Sequence, residues 1–165
     1  ILAEYLQHLG QSILKNAKVV IHGDVSPKNI LIGADGPIFL DAECACFADP
    51  AFDLAFCLNH LLLKQLVRPN LCTQLLSLAE TVVAEYILGI QWEPSGDLII
   101  RTALLLPALM LARVDGKVPV SYLDKEWQCE TVRLFAIKHL LLQTTDIKIL
   151  FTDFHDTIKK ASVIL

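Results

Sequence analysis

Charge is scarce in this sequence, and no stretch concentrates one sign: 19% of residues are charged and the net charge is −4. Without a basic run, nucleic-acid binding through a broad phosphate-contacting face is not favoured. A membrane-spanning run is also missing. The longest apolar stretch, around Thr102 to Ala112, covers about eleven residues where a spanning helix needs about twenty, and Pro107 interrupts it. It reads as a buried core helix. The first residues, Ile1-Leu2-Ala3-Glu4, carry no basic region and no small-residue cleavage site, so they do not read as a signal peptide. There is no initiator Met, which predicts a start within a longer protein. The seven glycines form neither G-x-G-x-x-G nor a P-loop. The five cysteines, at 44, 46, 57, 72 and 129, show no C-x-x-C spacing, and their number is odd. They read as buried free thiols in a reducing, cytoplasmic setting rather than as metal ligands.

What the sequence does have is apolar residues, 54% of 165. Disordered chains are poor in such groups and cannot offset chain entropy, so the composition predicts a folded chain. The length suits a single domain over 1–165. The apolar surplus predicts a partner surface, either a second copy of the chain or a lobe from outside it.

Residues 2 to 15 place Leu2, Tyr5, Leu6, Leu9, Ile13 and Leu14 near helical spacing. Val19-Val20-Ile21 is a short β-branched run that stops at a polar loop, His22 to Asn29. Ile30-Leu31-Ile32 and Ile38-Phe39-Leu40 flank the turn signal Gly33-Ala34-Asp35-Gly36-Pro37, which predicts a β-hairpin. Asp41 to Asp49 reads as a second loop. Asp49-Pro50 then resembles an N-cap with proline at the first helical position. Helices are predicted over about 50–66, 71–89, 96–113, 124–143 and 146–161. The fold class is therefore α+β and mostly helical, with a small hairpin insert near the start.

The polar residues of interest sit in the two loops flanking that hairpin. A hairpin returns the end of its second strand to the start of its first, so Asn29 and Asp41 can face one point. A carboxylate and an amide oxygen at one point suit Mg²⁺, a hard cation that takes few protein ligands. Asp24 stands over the same point as an acceptor able to orient a hydroxyl and receive its proton.

These residues carry a resemblance. His22-Gly23-Asp24 with Asn29, then Leu40-Asp41-Ala42-Glu43, then D-P-A-F-D-L-A at 49–55, resemble the aminoglycoside phosphotransferase and choline kinase family of the protein-kinase-like fold. Ser26 stands where protein kinases usually carry Lys, which favours the small-molecule branch. The resemblance implies a kinase-like C-lobe in which Asp24 is the catalytic residue and Asn29 and Asp41 hold Mg²⁺ against ATP phosphates. It implies supporting roles for His22 and Asp53 in the catalytic loop. The acceptor is then a hydroxyl of a small molecule: an aminoglycoside, amino alcohol or sugar-like compound. Ala42 departs from the bulky aromatic usual after the metal-binding Asp, with Phe39 or Phe47 as candidates to fill its space. The family's N-lobe, with its Gly-rich loop, strand Lys and helix Glu, has no counterpart in this sequence.

Some readings stay open at this stage. Glu43 either helps bind metal or a cationic substrate, or is an exposed loop carboxylate. L-A-R-V-D-G-K-V-P-V-S-Y-L at 111–123 resembles a stretch in some bacterial relatives. Arg113, Asp115 and Lys117 then either line the substrate side or form a solvated helix end. Lys28 either approaches a phosphate or is solvated. His60, His139 and His155 read as packed or surface residues, Trp92 and Trp127 as anchors. Against the ATP-dependent enzyme stand an isolated, non-catalytic C-lobe that binds ligand or partner, and a metal-dependent hydrolase built on His22, Asp24 and Asp41.

Overall fold

The computed structural model describes the backbone of residues 2–164 and the side chains of residues 2–160. In chain order the elements are α1 (Leu2–Lys15), β1 (Val19–Ile21), β2 (Ile30–Gly33), β3 (Gly36–Phe39), β4 (Cys46–Ala48), α2 (Ala51–Val67), α3 (Cys72–Gly89), α4 (Ser95–Asp115), α5 (Glu126–Leu142) and α6 (Ile147–Ile164). Single 3-10 turns occur at Pro27–Asn29, Ala42–Cys44 and Pro69–Leu71. The chain is α+β and mostly helical, and the helices lie close to the boundaries their periodicity predicts.

The core is built on α2. Its sequence is apolar on nearly every face, which suits a helix enclosed by others. Leu54, Leu58, Leu62, Leu63 and Leu66 are all buried, packed chiefly against α3 and α4. Each such side chain contributes roughly 2 kcal/mol relative to exposure. α4, with Pro107 buried inside it, is the core helix expected from the 102–112 stretch. α1 lays its apolar stripe, Leu2, Tyr5, Leu6, Leu9 and Ile13, on the same core.

The strands form two separate antiparallel pairs. In the hairpin Gly33 pairs with Gly36, so a two-residue turn joins β2 to β3 and the second strand starts earlier than predicted. Gly36 takes a φ of 124°, where a side chain is strained. Pro37 is accommodated because a two-stranded hairpin has only edges. The other pair joins β1 to β4, with Val20 opposite Phe47. β4 lies inside the segment expected to be loop throughout. Three residues are too short for an alternation signal, and their partner is far away in sequence.

Two expectations about burial are corrected. Cys44 and Cys46 are exposed and Cys57 and Cys129 half-buried, leaving Cys72 as the buried thiol. Both exposed cysteines lie in or beside the uncovered β4 strand, where an apolar neighbourhood in sequence is not an interior in space. Phe39 and Phe47, the candidates to fill the space beside Ala42, are exposed rather than buried. In addition, one helix among the described residues, Pro69–Gly89, is long and apolar enough to cross a membrane by length and composition, with 17% of that window buried. Its inner side, including Ala79, packs on the core, and Leu78 and Leu88 are exposed.

Candidate functional site

The first loop leaves β1 through a glycine that nothing else can replace. Gly23 has a φ of 81°, and a Cβ there would lie 2.6 Å from the backbone oxygen of Cys44. The two polar loops approach so closely that a side chain has no room. The backbone N–H groups of His22 and Gly23 donate to Asp53 Oδ2 and Oδ1 at 2.7 and 2.9 Å. Asp53 lies in the first turn of α2, where a carboxylate also complements the helix dipole. One aspartate thus fastens the loop to the central helix.

Beyond Gly23, Ser26 N–H donates to the Asp24 carbonyl and Asn29 N–H to the Ser26 carbonyl, both at 2.9 Å. Pro27 opens the 3-10 turn that follows. This curls the chain so that the Asn29 amide nitrogen donates to the Asp24 carbonyl at 3.0 Å and to Asp24 Oδ2 at 2.9 Å. Asn29 is buried, and its amide oxygen has no partner among the described residues. Lys28 Nζ stands 3.3 Å from the same Asp24 oxygen.

The hairpin carries the chain back. Leu40 N–H donates to the Asn29 carbonyl at 2.8 Å, and Asp41 comes next. Its φ of 65° and ψ of 49° are left-handed, a conformation Asp tolerates better than most residues. Its carboxylate is exposed, without a partner among the described residues. His22 ties the two loops together. Nδ1 accepts from Asp24 N–H at 3.2 Å, so Nε2 carries the hydrogen and donates to the Leu40 carbonyl at 2.9 Å. With both ring nitrogens engaged, His22 is not set up as a transition-metal ligand, and the hydrolase reading loses its key donor.

A free amide oxygen and a free carboxylate, fixed one residue apart across the hairpin mouth, are a donor pair that fits a hard divalent cation. Asp24 belongs to the same unit through its bond to Asn29.

On the far side of Asp24 a cavity of about 540 Å³ opens between the loop, α2 and the segment after α4. Phe52, Phe56 and His60 reach it from successive turns of α2, and Arg113 and Tyr122 face them. His60 Nδ1 is 2.9 Å from the Tyr122 hydroxyl. Burial, reinforced by Arg113, Lys64 and Lys28 against the opposing Asp24, pushes the His60 pKa down to about 4. Burial pushes the Tyr122 phenol up to about 12 despite Arg113. Both groups are neutral near pH 7.

Of the residues expected on the substrate side, Arg113 lines this cavity. Asp115 does not, because both its oxygens accept from Arg133 on α5 at 2.9 Å. Glu43 is exposed on the turn at Ala42–Cys44, and neither it nor Lys117 forms part of the cavity wall. Phe52, Phe56, His60 and Tyr122 were not singled out for this site from sequence. The first three repeat every four residues from the Phe of the D-P-A-F-D motif onward, a spacing that points them to one face of α2.

A second polar cluster secures the frame. Asp49 accepts the Ala51 N–H at the start of α2 at 3.0 Å, as its capping motif predicts. Arg101 of α4 binds Asp49 at 2.8 Å through Nε and Glu93 at 2.8 Å through Nη2, and Glu93 also holds Lys18 beside β1. Burial alone would raise the Glu93 pKa, but its bonds to Arg101 and Lys18 outweigh that and lower it.

Comparison with known proteins bears on the first part of the chain. Residues 1–71 match the sequence model of the phosphotransferase enzyme family. That span holds Asp24, Asn29, Asp41, His22 and Asp53, and agrees with the aminoglycoside phosphotransferase and choline kinase-like resemblance. No curated protein matches the chain.

Proposed function

We propose, from the phosphotransferase-family match as premise, that these residues form the catalytic-loop lobe of an ATP- and Mg²⁺-dependent kinase for a small hydroxylated molecule. The observation that carries this reading is the Asp24–Asn29 bond, locked to the Asp41 loop by His22. In this reading Asn29 Oδ1 and the Asp41 carboxylate hold the cation, which when bound neutralises charge on the nucleotide phosphates. Asp24 orients the acceptor hydroxyl through the carboxylate oxygen that Asn29 leaves free. The acceptor oxygen bonds to the γ-phosphorus as the β–γ bridging bond breaks. The hydroxyl proton passes to Asp24, and ADP leaves. Positioning and charge neutralisation supply most of the rate. A cytoplasmic setting accords with this reading.

A second reading is that these residues bind ligand or partner without turnover. The exposed apolar face favours it: Val20, Ile32, Ile38, Phe39 and Phe47 on the two strand pairs are all more than half exposed. A second copy or an N-lobe would cover that face. Calorimetry of Mg²⁺-ATP binding separates the two readings. The kinase reading predicts binding that needs Mg²⁺ and is lost in Asp41→Ala. Absence of Mg²⁺-dependent binding by this chain, with clear binding by a longer one, would sink catalytic competence of residues 1–165 alone.

A further inference from the structure

The cavity beside Asp24 carries an unusual charge balance. Asp24 is its one carboxylate, and Lys28 already pairs with it. Arg113 is left over. Its guanidinium lies 4.6 Å from the centre of the Phe56 ring and donates one N–H to the Val118 carbonyl at 3.2 Å. No carboxylate among the described residues meets it. Arg101 and Arg133 behave differently: each grips an aspartate through two nitrogens. Arg113 is half-buried in a cavity wall with most of its five donors unspent.

A cationic acceptor finds no seat here. Aromatic faces attract ammonium groups, but in this wall Arg113 already covers the Phe56 ring. Asp115, the carboxylate two residues along, is turned away to Arg133. His60 is held neutral by its burial first and by Arg113 next, with Asp24 opposing, so it offers no carboxylate-like partner to a cation. The volume, about 540 Å³, falls within the usual range for small-molecule sites.

We infer that this cavity takes a hydroxylated small molecule bearing a carboxylate or phosphate and a flat apolar body, with the Arg113 fork on the anion and the hydroxyl toward Asp24. The placement of the hydroxyl rests on the phosphotransfer reading. The sign of the ligand does not. A planar guanidinium matches both carboxylate and phosphate through paired hydrogen bonds, while Phe52 and the hydroxyl of Tyr122 set the remaining walls. Arg113 is then the residue that sets specificity.

The test compares three probes with the same ring and alcohol: 4-(hydroxymethyl)benzoate, 4-(hydroxymethyl)phenyl phosphate and 4-(hydroxymethyl)benzylamine. Calorimetry on the chain without nucleotide gives the affinities. At least one anionic probe is expected to bind roughly tenfold or more tighter than the amine, as a charge-assisted pair supplies. Which anion binds distinguishes carboxylate from phosphate ligands. Arg113→Gln should abolish the preference and Arg113→Lys keep part of it. Equal or tighter binding of the amine, or no binding of either anion, overturns the inference, and both outcomes are read on the unmutated protein. An unchanged preference in a folded Arg113→Gln variant overturns it too. Because neither ATP nor turnover enters, an anion preference without Mg²⁺-ATP binding would leave this site standing while the kinase reading falls.

Discussion

Replacing Asp53 with alanine removes both acceptors that hold the start of the His22–Asn29 loop to α2. The two bonds, at 2.7 and 2.9 Å, join a carboxylate to the backbone N–H groups of His22 and Gly23. The site is half-buried, so water replaces them only in part. An orphaned partner costs about 1–3 kcal/mol when buried, and two at the lower end give about 2–4 kcal/mol. For a chain of this size that corresponds to a fall in Tm of roughly 5–15 °C. Asp53→Asn should recover little. A carboxamide offers one acceptor, loses the charge, and turns an N–H toward an N–H. The assay is denaturant unfolding together with amide hydrogen exchange. Exchange at the His22 and Gly23 amides should accelerate far more than at Leu58 or Leu62 in the core. Unchanged protection at those two amides in Asp53→Ala would refute the claim that Asp53 fastens the loop.

Gly23→Ala places a Cβ against Cys44 O at a left-handed φ, and should cost about 2 kcal/mol or more in denaturant unfolding; wild-type stability would show that the loops do not touch there. His60 has a pKa of about 4 when folded against about 6.5 unfolded. The folded protein therefore binds fewer protons, and stability is fully present above about pH 6.5 and lost as pH falls through about 4, by at most about 3 kcal/mol. Urea unfolding between pH 7 and 4 should show a shallower pH dependence in His60→Gln, and identical slopes would contradict the burial of a neutral His60. Arg101→Met strips Asp49 and Glu93 of their shared cation and leaves a largely buried carboxylate unpaired, so unfolding should be easier by about 3 kcal/mol or more; a neutral effect would remove that cluster from the account.

Much of this was legible in sequence because it is local. The stripe Leu2, Tyr5, Leu6, Leu9, Ile13 gives α1, and Gly33 to Pro37 gives the hairpin that returns Leu40 to Asn29. Asp24 and Asn29 sit five residues apart and meet through a single curled turn. What stayed hidden depends on distant partners. β4 is three residues long and exists because Val19–Ile21 lies beside it. Arg113 and Tyr122 become cavity residues only once α4 packs on α2. Asp115 looked like their companion by proximity in sequence, but the helix end turns it toward Arg133 instead. The cysteines were misplaced for a related reason: an apolar run predicts burial only where another element covers it, and Cys46 and Phe47 of β4 are exposed while Ala48 is buried.

The central claim is that Asn29 and Asp41 address one cation beside Asp24. Mn²⁺ can replace Mg²⁺ as a paramagnetic probe, titrated with ATP into the isotopically labelled chain and followed by NMR. The account predicts that the Asn29 side-chain amide and the backbone amides of Asp24, Asp41 and Ala42 broaden first, and that Asp41→Ala abolishes this selectivity. Sharp signals from those groups while resonances elsewhere broaden would contradict it.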